Sequence, residues 1–204
     1  HSTINYTMNT SGTNGMTKDA FDAYLFLDGK PKATTSLATN DAATLNANNQ
    51  YGIEAQLAVR DKRLAETIDP VLAFKGHAYQ RAGTHAFTST TGYAVSKYDN
   101  TTELTIDERN NNNRQYTDCP IFWLSVVYLD YAEAKAELGT ITQTDLDNSI
   151  NKLQIRAGLP GIQLAPAADP ANNMGVSNLL WEIRRARRCE LMFDNWTRYW
   201  DLIR

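Results

Sequence analysis

Residues 120–160 read PIFWLSVVYLDYAEAKAELGTITQTDLDNSINKLQIRAGLP, and this stretch decides the fold. Ile121, Leu124, Tyr128, Tyr131 and Leu138 recur at helical spacing, while Ala132, Ala134 and Ala136 raise helix propensity and thin the contact surface. Gly139 stands where a left-handed residue ends a helix. Thr144 is the predicted cap of a second helix, with Asp147 three places on as a short capping box. Leu146, Ile150, Leu153 and Ala157 form one apolar stripe, closed by Gly158 and Pro160. The reading is two antiparallel amphipathic helices joined by a short loop. Such a pair cannot bury its faces alone, so it must pack on further helices, as a repeat unit of a solenoid does.

Downstream, residues 161–177 hold Pro166, Pro170, Asn172, Asn173 and Gly175 and read as a long connector. Ser177 starts a final helix whose apolar positions include Leu179, Ile183, Phe193, Trp196, Trp200 and Ile203. Its basic run, Arg184, Arg185, Arg187 and Arg188, suggests an acidic ligand until the partners are counted. Residues 181–204 hold six Arg against four acids, and Glu182–Arg185, Arg187–Glu190 and Asp194–Arg198 stand at pairing distance on a helix. With Trp181, Trp196, Tyr199 and Trp200 beside these pairs, the helix is expected to be packed inside, its guanidinium groups used structurally.

Upstream, Thr17 caps a short helix through Tyr24, and Asp28-Gly29 with Lys30-Pro31 spells a turn. Residues 1–16 and 32–50 are polar and rich in Thr and Asn, and are expected to be irregular. Ile53–Val59 fits either a helix or an extended run, Ala65–Ile68 reads as a strand, and residues 71–100 suggest short strands. The tract 110–113, all Asn, is a solvated loop.

The chain has 204 residues, 42% apolar and 21% charged, enough for one domain with a sizeable core. A net charge of −3 argues against nucleic-acid binding. No apolar run reaches membrane-spanning length, and no leader segment is visible. Cys119 and Cys189 are either two buried small side chains, the reading preferred here, or a disulfide. They cannot build a zinc site.

Catalytic signatures are missing: there is no nucleophile elbow, phosphate loop or zinc-binding His pair. His77 and His85 have no carboxylate neighbour in sequence. Glu133 and Glu137, four apart, face one side of the first helix and are expected to be solvated or paired with Arg of a neighbouring helix, not to act as an acid/base pair. For binding, an aromatic platform beside polar side chains suits the apolar C–H face and hydroxyl rim of a sugar. Residues 74–81 (FKGHAYQR) with Phe87 and Tyr93 have that composition, which makes Tyr79, Arg81 and Tyr93 the candidate ligand contacts.

Several stretches together resemble one family. YLDYAEAKAELG and NKLQIRAGLP look like paired signatures of the SusD/RagB family of nutrient-binding surface lipoproteins, found in the outer membrane of Bacteroidetes-type bacteria. TKDAFDAYLFLDGKP at 17–31, RDKRL at 60–64, TGYAVSKY at 91–98 and LLWEIRRARRCELMFDNWTRYWDLIR at 179–204 agree in order. The chain departs from the pattern at Trp123 and Val126, where a basic residue and a glutamate are usual, and at Ala186 and Asn195, where a glutamate and a glycine are usual. The matching buried ion pairs should therefore be absent or rebuilt.

The resemblance implies a mainly α fold of SusD-like, TPR-like helical hairpins with long loops and a few short β-strands. It implies that residues 1–204 are one domain, the C-terminal region of a longer protein whose N-terminal lipid anchor lies outside this chain. The expected function is non-catalytic binding of an oligosaccharide, polysaccharide or other nutrient at the cell surface, with delivery to a TonB-dependent, SusC-like outer-membrane transporter. No cofactor and no metal are expected. The alternative is a structural, transporter-docking scaffold with the ligand site elsewhere. The resemblance itself carries over no binding residue.

Overall fold

The computed structural model describes residues 15–37, 53–68, 71–72, 80–81, 91, 93, 95–97, 121–194 and 197–203. These are mainly helical. Contacts divide the chain into two units: His1–Phe21, Asn40–Ala58 and Leu64–Pro120 in the first, Asp22–Thr39, Val59–Arg63 and Ile121–Arg204 in the second.

In the first unit, Thr17 Oγ1 accepts the Ala20 N–H at 3.2 Å and opens α1 (Lys18–Asp22), as its sequence predicts. Ile53–Val59 resolves as a helix, α2. The stretch expected as a strand at 65–68 is instead the end of α3 (Lys62–Thr67), and Ile68 beyond it forms an antiparallel bridge with Val95. Two short strands, β1 (Val71–Leu72) and β2 (Gln80–Arg81), pair antiparallel with Val71 opposite Arg81. Met16, Phe21, Leu64 and Ile68 are buried.

The second unit is built on α4 (Leu124–Glu137), α5 (Gln143–Asn148), α6 (Ile150–Arg156) and α7 (Asn178–Glu190), followed by α8 (Thr197–Ile203). The organising hairpin is present, with Gly139 left-handed at φ 66°. Its second arm starts two residues early and breaks in the middle. Thr142, not Thr144, is the cap: its Oγ1 accepts the Asp145 N–H (3.2 Å) and Asp145 returns the bond to the Thr142 N–H (2.8 Å). The break falls at Ser149, whose hydroxyl donates to the Asp145 carbonyl at 2.5 Å, a side-chain bond that competes with the helical ladder.

One apolar core joins α4, α5, α6 and α7: Leu129, Ala132, Leu146, Ile150, Leu153, Ile183 and Ala186, with Ile162 and Leu191. The stripe read from α5 and α6 is thus buried as expected, with Ala157 in a smaller cluster beside Leu25 and Leu159. The face of α4 is a correction. Of the residues expected to face inward, only Tyr128 packs against the core; Ile121, Leu124, Tyr131 and Leu138 are exposed. The helix is apolar around most of its circumference, and the side bearing small residues, Ala132 and Ala136, lies against the others.

The same core answers the family departures. Ala186 is one of its members and Val126 packs against it, so apolar contact stands where ionic groups are usual. Asn195 lies outside the described residues.

The final helix also differs from its reading. Ser177 caps it as expected, through Oγ accepting the Leu180 N–H (3.2 Å). It ends at Glu190, Phe193 turns left-handed at φ 62°, and α8 begins afresh. Phe193, Tyr199, Trp200 and Ile203, expected inside, are exposed, Trp200 at 65%. Trp196 lies outside the described residues. The connector between α6 and α7 is pinned by Asn151, whose Oδ1 accepts the Ile162 N–H (2.7 Å) while its Nδ2 donates to the Ile162 carbonyl (3.1 Å).

Candidate functional site

The three candidate ligand residues lie in the first unit. Tyr79 is outside the described residues, and Arg81 is described by its backbone, at the end of β2 opposite Val71. Tyr93 is placed in full. Its ring stacks on Phe21 with centroids 4.5 Å apart and planes 23° from parallel. Its carbonyl accepts the Met16 N–H (2.9 Å), and its own N–H donates to Thr91 Oγ1 (3.3 Å). The ring is therefore a half-buried aromatic held by another ring beneath it. His77, His85 and Phe87 lie outside the described residues.

Glu133 and Glu137 do share one side of α4, and both meet Arg184 of α7. Its Nε lies 2.9 Å from Glu133 Oε1 and its Nη2 lies 2.6 Å from Glu137 Oε1. Both carboxylates are thus taken up in ion pairs with one guanidinium, a structural use of the pair. Arg187 is engaged likewise, by Asp130 of α4 (2.5 Å) and Asp201 of α8 (2.9 Å). The basic run is structural, although Glu190 is taken by other partners than Arg187.

Those partners come from RDKRL and from α6. Arg63 clasps Asp61 through Nε and Nη2, donates to Gln154 Oε1 (2.9 Å) and reaches Glu190 Oε2 (3.1 Å); Arg156 holds the other oxygen of Glu190 at 2.5 Å. Burial works against the Arg63 charge, but the hydrogen bond and charge of Asp61 outweigh it and hold the guanidinium above its ordinary value. Arg60 is buried too, donating to the Tyr24 carbonyl (2.9 Å) and lying 4.3 Å over the Phe26 ring. Sequence reasoning missed this network. The charged run at 60–63 looks like surface, and the partners Arg63 finds on Gln154 and Glu190 lie 91 and 127 residues away.

A second buried cluster joins the connector to α7. Asp169 pairs with Arg185 and accepts the Trp181 Nε1–H (3.2 Å) and the Ala171 N–H (2.8 Å). Glu182 lies 3.3 Å from the same Arg185. Burial pushes Glu182 up to about 7 and Arg185 down to about 10. Near the hairpin loop, Asp145 is held well below its usual range by hydrogen bonds from Thr142, Tyr131 and Lys135. Cys189 is a free, buried thiol, pushed up to about 12 by burial. Cys119 lies outside the described residues.

Among the described residues no three His, Cys, Asp or Glu side chains gather as a metal would need, and no helix is long and apolar enough to cross a membrane. The sequence model of the SusD family matches residues 2–204. No curated protein and no solved structure matches the chain.

Proposed function

The chain belongs to the SusD family, and we propose from that premise that it binds an oligosaccharide or related nutrient at the bacterial surface without chemically altering it. The observation that carries this reading is the family match over residues 2–204. In the fuller form of the proposal, the polypeptide is a region of a longer outer-membrane lipoprotein, and its captured ligand passes to a TonB-dependent, SusC-like transporter. Binding would rest on stacking against aromatic rings and hydrogen bonds to hydroxyls, with Tyr79, Arg81 and Tyr93 the first candidate contacts to mutate. The bridging of Glu133 and Glu137 by Arg184 supports binding without hydrolysis. Calorimetry against a panel of oligosaccharides, with the sugars recovered and sized afterwards, tests both halves. Saturable heat with intact sugar is expected; shortened products would overturn the non-catalytic half.

One observation favours a scaffold reading instead. Leu124, Val127, Tyr131, Ala134 and Leu138 follow one another at alternating steps of three and four along α4, all exposed. A seam with that period is a helix-packing surface rather than a sugar platform. If no oligosaccharide in the panel binds, the scaffold reading takes precedence.

A further inference from the structure

Arg185 sits between two acids. It pairs with Asp169 on the connector and lies 3.3 Å from Glu182 on its own helix, and the three side chains are 8%, 3% and 11% exposed. One buried cation thus faces two carboxylates, Asp169 buried and Glu182 mostly so. With both ionised, the cluster holds a surplus negative charge where water scarcely reaches, so one of the two is driven to keep its proton. The hydrogen bonds decide which. Asp169 accepts the Ala171 N–H and the Trp181 Nε1–H besides its pairing with Arg185, and these donors favour its anion. Among the described residues Glu182 has Arg185 alone, at the longer distance. Burial accordingly pushes Glu182 up to about 7.

The other charges around α7 are committed. Glu133 and Glu137 of α4 hold Arg184; Asp130 of α4 and Asp201 of α8 hold Arg187. Glu190 is shared by Arg63 and by Arg156 of α6. Arg188 opposes the charge of Arg185, and the Cys189 thiol, pushed up to about 12, stays neutral.

We propose that Asp169, Arg185 and Glu182 form a proton-dependent latch on the connector at 161–177. With Glu182 neutral, Arg185 belongs wholly to Asp169 and the connector is clamped to α7. With Glu182 ionised, two carboxylates compete for one guanidinium and the clamp weakens. The sign follows from linkage. A released connector returns Glu182 to water and to its ordinary value of 4.5, whereas the docked state holds it at about 7. Docking is therefore strongest below pH 4.5, weakens as pH rises to about 7, and levels off above. The slope is at most about tenfold per pH unit, the limit for one proton.

Amide hydrogen exchange, corrected for intrinsic rate, reads the latch at the Ala171 N–H, which the Asp169 carboxylate accepts at 2.8 Å. In the wild type its protection should fall between pH 5 and pH 7 and then level off; in Glu182→Gln it should be flat. Carbon-detected titration of the wild-type Glu182 carboxyl should give a midpoint near 7. A midpoint near 4.5, or a Glu182→Gln protein that keeps the wild-type pH dependence, would overturn the latch. If the variant does not fold, the wild-type titration alone decides.

Discussion

Arg63 Nη1 lies 3.1 Å from Glu190 Oε2 while Nε and Nη2 hold Asp61, and all three side chains are almost wholly out of water. This single guanidinium ties the turn before α3 to the end of α7, with Gln154 of α6 as a further acceptor. Its worth lies in what its loss would leave behind. Truncation leaves the buried Asp61 carboxylate without its guanidinium and Glu190 with Arg156 alone of the two, which costs far more than the net value of the pair. Arg63→Ala should therefore lose about 3–5 kcal/mol of stability in urea melts. Arg156→Ala removes a half-exposed partner of Glu190 and should cost about 1 kcal/mol or less. Equal costs for the two would show that burial does not govern this network.

Leu153 is buried in the shared core, whereas Leu138 is 75% exposed at the end of α4. Leu153→Ala should cost about 2–5 kcal/mol as a cavity-forming change. Leu138→Ala should stay within about 0.5 kcal/mol of wild type. The contrast tests which side of α4 faces inward. A large loss at Leu138 would mean that the buried side has been misassigned.

That side marks the limit of what the residues alone reveal. The apolar stripe at 146, 150, 153 and 157 was legible because polar residues border it, leaving one way to turn the helix. On α4, apolar residues stand on two sides, so periodicity cannot choose between them; the approach of α7 does. The break at Ser149 was illegible for a different reason, since one hydroxyl-to-carbonyl bond decides it. The pairing of Glu133 and Glu137 with an Arg was legible in kind, although only the fold names Arg184. Of the candidate site, Tyr93 was singled out by composition, but its stacking on Phe21 joins residues seventy-two positions apart. Local pattern carries no trace of that.

Gly29 and Gly139 both adopt positive φ, 74° and 66°. A side chain at Gly139 meets nothing within 4 Å, so Gly139→Ala should carry only the left-handed penalty, about 1 kcal/mol. A Cβ at Gly29 would lie 2.5 Å from Pro160 Cγ, a ring that cannot swing aside. Gly29→Ala should cost clearly more, about 2–3 kcal/mol, since strain and overpacking add. Thermal melts of the two variants decide, and matching losses would remove the Pro160 contact from the account.

Asp145 predicts an acid-side dependence. Thr142, Tyr131 and Lys135 donate to its carboxylate and hold it below its ordinary value of 3.8. A carboxylate depressed on folding contributes stability that is present above the unfolded value and lost as pH falls through the folded one. Wild type should therefore exceed Asp145→Asn in stability near neutrality, with the gap narrowing below pH 3.8. Melting both proteins from pH 7 downward tests this. A gap that widens on acidification has the wrong sign for the hydrogen bonds seen here.

Tyr93 offers the sharpest test of ligand contact, because its ring has a structural duty as well. The stack on Phe21 should be worth about 0.5–1.5 kcal/mol beyond burial. Tyr93→Ala should therefore lower the melting temperature whether or not a sugar is ever bound there. Tyr93→Phe keeps the ring and its stack and removes only the hydroxyl, so its melting temperature should fall less than that of Tyr93→Ala. If the hydroxyl donates to or accepts from the ligand, calorimetry of Tyr93→Phe should show affinity weakened by about 0.5–1.5 kcal/mol, or roughly two- to tenfold. If the ring alone serves as platform, Tyr93→Phe binds as wild type, and Tyr93→Ala loses binding at a temperature where it is still folded. Wild-type affinity in both variants would remove Tyr93 from the site and leave its ring with a structural role against Phe21.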